Sequence, residues 1–251
     1  RFQRVTTLLA EKRGQLVPED VPAIMSDCVD PFEGCRRITG SIVAGANNCQ
    51  SMVMSPDDDA VWLGQADYPV CHSERFHGFR ISALFNAARE DYEIDDLAGA
   101  QQLDGAERAA LGEYEQAWSE FLDHHNPDRA VFHLRRAAEL LPDEVMLPRM
   151  AGLVLLKQRK YAQALPFLIR NTAYPYNDPL MHAESHIWVG RCLDLMGRRS
   201  DAIEAYQKAA ALDIAPISPA ARRHLTKPFR VWNLIDVAPE FVVGTALARY
   251  N

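Results

Sequence analysis

Apolar residues recur in one register over residues 130–212. Ala130, Ala164 and Ala202 share a position. Four residues on stand Leu134, Leu168 and Tyr206, and seven on stand Ala137, Asn171 and Ala209. Twelve residues before the mark lie Trp118, Gly152 and Gly190, and nine before it lie Phe121, Leu155 and Leu193. The spacing is 34 residues from Ala130 to Ala164 and 38 from Ala164 to Ala202. A period in the mid-thirties, with small residues where two helices must approach closely, predicts stacked helical hairpins. The extra residues of the second interval fit the loop TAYPYNDP at residues 172–179, whose two prolines and Asn-Asp pair make a poor helix.

The first hundred residues follow other patterns. Phe2, Val5, Leu8 and Leu9 fall at helical spacing and stop at Gly14. Pro18-Glu19-Asp20 then opens a second helix with Val21, Ile24 and Met25 on its apolar face. SMVMS at residues 51–55 and AVWLG at 60–64 read as strands around a Pro56-Asp-Asp-Asp turn. Residues 79–85 alternate enough to be a third strand, and residues 39–43 are a candidate fourth. Residues 89–104 hold Glu90, Asp91, Glu93, Asp95, Asp96 and Asp104, and read as a solvated connector or helix face. The domain boundary is expected near residue 100, giving an α+β segment over 1–100 and helical repeats with a capping helix and tail over 101–251. Residues 106–122 read as a helix rich in Ala, Glu and Leu. Ser218-Pro219 starts the capping helix that an open repeat end requires. The tail through Pro228, Trp232, Ile235, Pro239 and Phe241-Val-Val is apolar enough to pack on the repeats or on the first segment. The fold class is therefore mainly α, with helical hairpin repeats preceded by a small α+β segment.

Composition narrows the function. At 48% apolar and 24% charged residues the chain reads as globular and water-soluble, and cytoplasmic placement is the expectation. A net charge of −7 argues against nonspecific nucleic-acid binding. No run approaches 18 apolar residues, so no membrane span is expected. The chain starts at Arg1 rather than Met, and is expected to continue upstream. Five cysteines, Cys28, Cys35, Cys49, Cys71 and Cys192, form no C-x-x-C pair and fit reduced thiols. The loop CVDPFEGC leaves a Cys28–Cys35 bridge open.

The hairpin register resembles the tetratricopeptide repeat family over about residues 108–214. The third repeat, residues 184–214, carries Gly190, Leu193, Gly197, Ala202, Tyr206 and Ala209. The second, residues 146–176, carries Gly152, Leu155, Tyr161 and Ala164, with Asn171 in place of a small residue. The first has Trp118 at the glycine position but keeps Ala130, Leu134, Ala137 and Pro142. More weakly, residues 1–86 resemble the C-terminal end of the acyltransferase and choloylglycine hydrolase branch of the N-terminal-nucleophile hydrolases. The residues that carry it are Arg4, Leu8, Leu9, Gly14, Val17-Pro-Glu-Asp20, Ile24, Asp27, SMVMSP at 51–56, VWLG at 61–64, Pro69, Phe76 and Phe79. That resemblance implies an amide hydrolase or acyltransferase whose N-terminal Cys lies upstream of Arg1, so no catalytic residue maps onto this chain. The other reading of residues 1–86 is a small α+β segment capping the repeats.

Candidate chemistry within the chain is sparse. Cys71-His72 with His77 and Cys49 could form a nucleophile pair or a metal set, but neither spacing is a known ligand pattern. A buried Cys with surface His is the plainer reading. His124-His125 reads as a loop pair. No cofactor or metal is expected. The tetratricopeptide resemblance implies a concave groove lined by the first helix of each hairpin. Its contact positions fall on Arg149, Leu153, Leu156 and Lys157, then on Glu184, Ile187, Arg191 and Asp194. The implied partner is a protein or peptide. It is either an extended acidic peptide held by Arg149, Lys157 and Arg191, or an intramolecular segment such as the first domain or the tail around Trp232. Three functions are open on this: the rear part of an acyl-transfer enzyme fused to an interaction module, a non-enzymatic scaffold, and, last in order, an enzyme complete within this chain.

Overall fold

The computed structural model describes residues 1–40, 42–45, 48, 50–65, 69–85, 91–100 and 103–237. Cys49, Ser41 in the candidate strand at 39–43, Glu90, Pro239 and the Phe241-Val-Val stretch lie outside them. The chain divides into two compact units, Arg1–Arg108 and Ala109–Asn251. It is mainly α, with a small antiparallel sheet in the first unit.

The first unit opens with α1 (Phe2–Glu11) and α2 (Val21–Met25), the latter preceded by a 3-10 turn at Pro18–Asp20. Gly14 takes a left-handed φ of 76° where α1 has ended. Arg4 donates two bonds to the Asp27 carboxylate, at 3.0 and 2.7 Å, and so ties α1 to the segment after α2. Strands β1 (Met52–Ser55), β2 (Ala60–Gly64), β3 (Arg75–Arg80) and β4 (Glu93–Ala98) form a meander in sequence order, all antiparallel. One face buries Val53, Ala60, Trp62, Phe76 and Leu97, with Val21 and Met25 packed against them. The other face leaves Met52, Met54 and Leu63 exposed. Cys28 and Cys35 are not bridged to one another. Their loop closes instead through the backbone, where Asp30 N–H donates to Cys35 O at 2.9 Å.

Two sequence expectations fail here. Residues 79–85 are not a strand. β3 runs earlier, and α3 (Ile81–Leu84) follows it as a single helical turn. Asp59 dictates the break: its carboxylate accepts from Ser82 N–H at 2.7 Å and Ser82 Oγ–H at 2.5 Å, and its carbonyl accepts from Ile81 N–H. The acidic run is not a connector either, because Glu93–Ala98 is the edge strand β4. Leu97 and Ile94 turn to the core across a bulge, and the carboxylate of Asp96 accepts from Gly78 N–H at 3.1 Å. Acidic residues on the open side of an edge strand read like a solvated segment in sequence.

Helix α4 (Gly105–Leu122) begins with a capping box: Glu107 N–H donates to the Asp104 carboxylate at 2.8 Å, and Asp104 N–H to Glu107 at 2.9 Å. The second unit continues with α5 (Pro127–Leu140), α6 (Met146–Lys157), α7 (Tyr161–Thr172), α8 (Pro179–Leu195), α9 (Arg199–Ala211) and α10 (Ile217–Thr226). Asn126 caps α5 through a bond from Arg129 N–H, and Pro127 occupies its first turn. Helix α8 starts at Pro179, earlier than the repeat register implies, because Asp178 caps it through Leu180 N–H. Ser218 lies inside α10 rather than at its cap. Its hydroxyl donates to Ala209 O and accepts from Ile214 N–H, closing the turn between α9 and α10.

The paired helices approach where the register has glycine. A Cβ on Gly152 would lie 2.8 Å from Leu168 Cδ2, and one on Gly190 would lie 2.6 Å from Tyr206 Cε1. Ala130, Ala164 and Ala202 are fully buried. The turns repeat as well. His125, Arg159 and Gly197 fall five residues before those alanines, and all three have positive φ, of 51°, 62° and 76°. Only the third has the residue suited to that conformation.

Two substitutions should therefore move stability in opposite directions. Arg159→Gly relieves the left-handed strain and is expected to raise stability by about 1 kcal/mol. Gly190→Ala drives a methyl into the Tyr206 ring and is expected to cost roughly 1–3 kcal/mol. Urea unfolding midpoints of the two variants check both signs.

Candidate protein-interaction groove

The eight groove positions lie on α6 and α8. Leu153, Leu156 and Ile187 are fully buried. At one end Arg149 and Glu184, also buried, join α6 to α8 through a direct ion pair, and Arg149 also lies 3.6 Å from Met181 Sδ. At the other end stand Lys157, which is exposed, and the buried pair Arg191 and Asp194.

That second end is occupied. After α10 the chain turns back as residues 228–237, with a 3-10 segment at Val231–Asp236. Phe229 is 5% exposed. The Arg191 guanidinium is sandwiched between two rings, 4.6 Å from the Trp188 centroid and 5.0 Å from that of Phe229. Phe229 N–H donates to the Asp194 carboxylate at 2.7 Å. At the far end of the segment, Lys157 Nζ donates to Val237 O at 2.9 Å. Leu234 and Val237 are buried, whereas Trp232 is 73% exposed. The segment thus crosses from α8 to α6 over residues that the register marks as groove positions.

Asp194 is the hub of this end. It accepts from Phe229 N–H, from Tyr206 O–H at 2.9 Å, and from Arg199 at 2.9 and 3.1 Å. Arg199 also donates to the carbonyls of His224 and Leu225, at 2.7 and 2.8 Å. The carboxylate beside it and burial both hold the Tyr206 phenol above its ordinary range, burial more strongly, so it stays a donor. His224 lies between the Tyr206 and Phe229 rings, with centroids 5.1 and 5.6 Å away. Burial lowers its pKa to about 4, the Arg191 and Arg223 cations add to this, and Asp194 and a bond to Lys227 O oppose it.

The sequence reading of the groove is corrected in two respects. Arg149 is neutralised by Glu184, and Arg191 is stacked between rings, so these cations are not presented to an acidic peptide. Within the tail, Phe229, Leu234 and Val237 are the buried anchors rather than Trp232. Phe229, His224 and Arg199 escaped the sequence reading because they lie off the repeated positions. Pro228 ahead of Phe229, which stops a helix and extends the chain, was the available signal.

The other candidate residues do not form a site. Cys71 packs with Cys28 and Ala44, and burial pushes its thiol up to about 12, the opposite of an activated thiolate. His72 is lowered by burial. His77 lies on β3, 3.3 Å from Asp96. His124 and His125 are exposed in the turn before α5. Among the described residues no group of three or more His, Cys, Asp or Glu is placed to hold a metal ion, and no helix is long and apolar enough to cross a membrane.

Comparison with known proteins adds little. No protein-family model matches the chain, and no curated protein matches it. Among solved structures, the N-terminal domain of stress-induced protein-1 (STI-1) from C. elegans is similar at 17% identity and a TM-score of 0.43, covering 50% of this chain and all of that one. A likeness of that degree carries no argument about function.

Two measurements test the electrostatics of the groove. Glu184→Gln leaves the buried Arg149 without its counter-charge and is expected to cost about 3–5 kcal/mol, whereas replacing both by Met and Leu restores most of it. Denaturant titration of the single and double variants distinguishes these outcomes. The second concerns pH. His224 is neutral in the fold well below the pH at which an unfolded His gains its proton. Its contribution is complete above about pH 6.5 and is lost as pH falls from there toward 4. The thermal midpoint should drop over that window, and His224→Phe should drop less steeply.

Proposed function

We propose that residues 101–251 are a tetratricopeptide-type scaffold that binds a protein or peptide segment, and that the α6–α8 groove is where it does so. The observation that carries this reading is the seating of residues 229–237 across Lys157, Arg191 and Asp194. Both polar anchors address backbone groups, an N–H at Phe229 and a carbonyl at Val237, which any polypeptide offers. The groove therefore suits a chain segment rather than a small molecule. The left-handed turns at His125, Arg159 and Gly197 and the close approaches at Gly152 and Gly190 support the repeat architecture. The alternative, that residues 1–86 end an acyltransferase or amide hydrolase, draws support from none of the comparisons.

A photo-crosslinking amino acid at Lys157, on the exposed rim, tests the reading. It should join the chain to a specific protein in the cells that make it, and the same group at Glu204, exposed on α9, should not. Replacing Lys157 also removes the bond that anchors Val237 O, so the groove is opened to a partner, and equal capture from both positions, or capture from neither, would sink it as a partner site.

A further inference from the structure

We infer that residues 229–237 are a displaceable occupant of the groove, and that the external partner is a peptide of the same chemistry. That peptide carries an aromatic residue, an aliphatic residue five positions on, and another eight positions on. The inference rests on the groove reading above and specifies its ligand and its regulation.

Three features make the segment an occupant rather than a further layer of the repeat core. It holds its own conformation: Arg230 N–H donates to the Asn233 side chain at 2.9 Å, and Asn233 N–H to Arg230 O at 2.9 Å. A self-capped segment needs little from its host to stay folded in shape. Its outward side is apolar and wet, with Val231 41% and Trp232 73% exposed, so no further layer of described residues closes over it. Finally, among its described side chains those of Phe229, Leu234 and Val237 are the buried ones, with the backbone anchors at the two ends.

The same facts define what can replace it. The slot formed by Arg191, Trp188 and His224 takes a flat ring, because a guanidinium face and an imidazole edge bound it. Asp194 takes the N–H of the ring-bearing residue, and Lys157 takes a carbonyl eight residues later. Between them the buried position of Leu234 accepts an aliphatic side chain. A partner peptide in trans must compete with a tethered segment whose effective concentration is high, so affinity is low until the tail is released.

The experiment uses the full chain and a labelled peptide, PFRVWNLIDV, of residues 228–237. Fluorescence anisotropy measures its binding to the wild type and to Phe229→Ala. The weakened tail should let the variant bind at least tenfold more tightly, and a peptide with Ala in place of its own Phe should lose that binding. Equal binding to both chains, or binding to neither, would overturn the inference. Circular dichroism reports whether Phe229→Ala keeps its helices. If it does not, Leu234→Ala is the second variant, with the same expected gain. If both variants unfold, the segment is a permanent part of the core and the inference is wrong. Specific capture at Lys157 with no peptide gain would leave the groove function standing and remove only the displaceable tail.

Discussion

The close approach of α8 and α9 governs the rest of the second unit. Gly190 has no side chain, so the Tyr206 ring lies directly on α8 where a methyl would clash. One turn further along α8 stands Asp194, and the ring carries its hydroxyl there, at 2.9 Å. Asp194 in turn holds Phe229 N–H and Arg199, and Arg199 holds the last carbonyls of α10. A packing constraint between two helices thus becomes the position of a carboxylate, and the carboxylate positions both the capping helix and the tail. Gly152 and Leu168 make the equivalent approach between α6 and α7, but Leu168 has no hydroxyl to pass on. The carboxylate at the polar end of the groove is therefore positioned by the last hairpin, while Lys157 of α6 supplies the second anchor.

Charge in this unit is arranged for internal satisfaction. Arg149, Glu184, Arg191 and Asp194 are all withdrawn from water, which is costly for each alone. Each is met by a partner: carboxylate by guanidinium, guanidinium by ring faces, carboxylate by the three donors Arg199, Tyr206 and Phe229 N–H. Such pairs seldom add stability over apolar residues of the same size, but breaking one is costly, so Arg149–Glu184 disfavours packings of α6 on α8 that separate the two. They also explain why a groove with three cations in sequence does not present three cations in space. Lys157 alone among the eight positions is exposed, and its ammonium is turned to a backbone carbonyl.

Much of this was legible in the register of small and apolar residues. Hairpin lengths, the buried alanines and the role of the two glycines follow from residue type and spacing. The turn position was legible only at Gly197, since His125 and Arg159 hide the same left-handed geometry behind residues that rarely adopt it. Strand β4 was hidden for a related reason: its acidic residues report the open side of an edge, and only Ile94 and Leu97 report the sheet. Asn171 was visible as a departure from the repeat, and its amide is indeed buried without a hydrogen-bond partner among the described residues. The groove residues were named from resemblance, but their surroundings were not legible. Those depend on Phe229 and His224, which follow the last repeat and share no register with it.

In the proposed partner groove, specificity would come from spacing more than from any single contact. The two polar anchors recognise groups present in every peptide, so by themselves they discriminate nothing. The ring slot at Arg191 would discriminate by shape, and the buried positions of Leu234 and Val237 by hydrophobicity. Each filter is loose alone. Set on rigid helices at fixed separation, they require an aromatic and two aliphatic residues in one register, with a segment compact enough to bring its ends to Asp194 and Lys157. The chain's own tail meets that requirement with Phe229, Leu234 and Val237, and its self-capped turn sets the distance between the ends. A segment that is fully extended would overshoot Lys157, since each extended residue advances about 3.3 Å against about 2 Å in a 3-10 turn. The geometry thus selects conformation as well as composition, and a partner that lacks the turn pays the cost of forming it on binding.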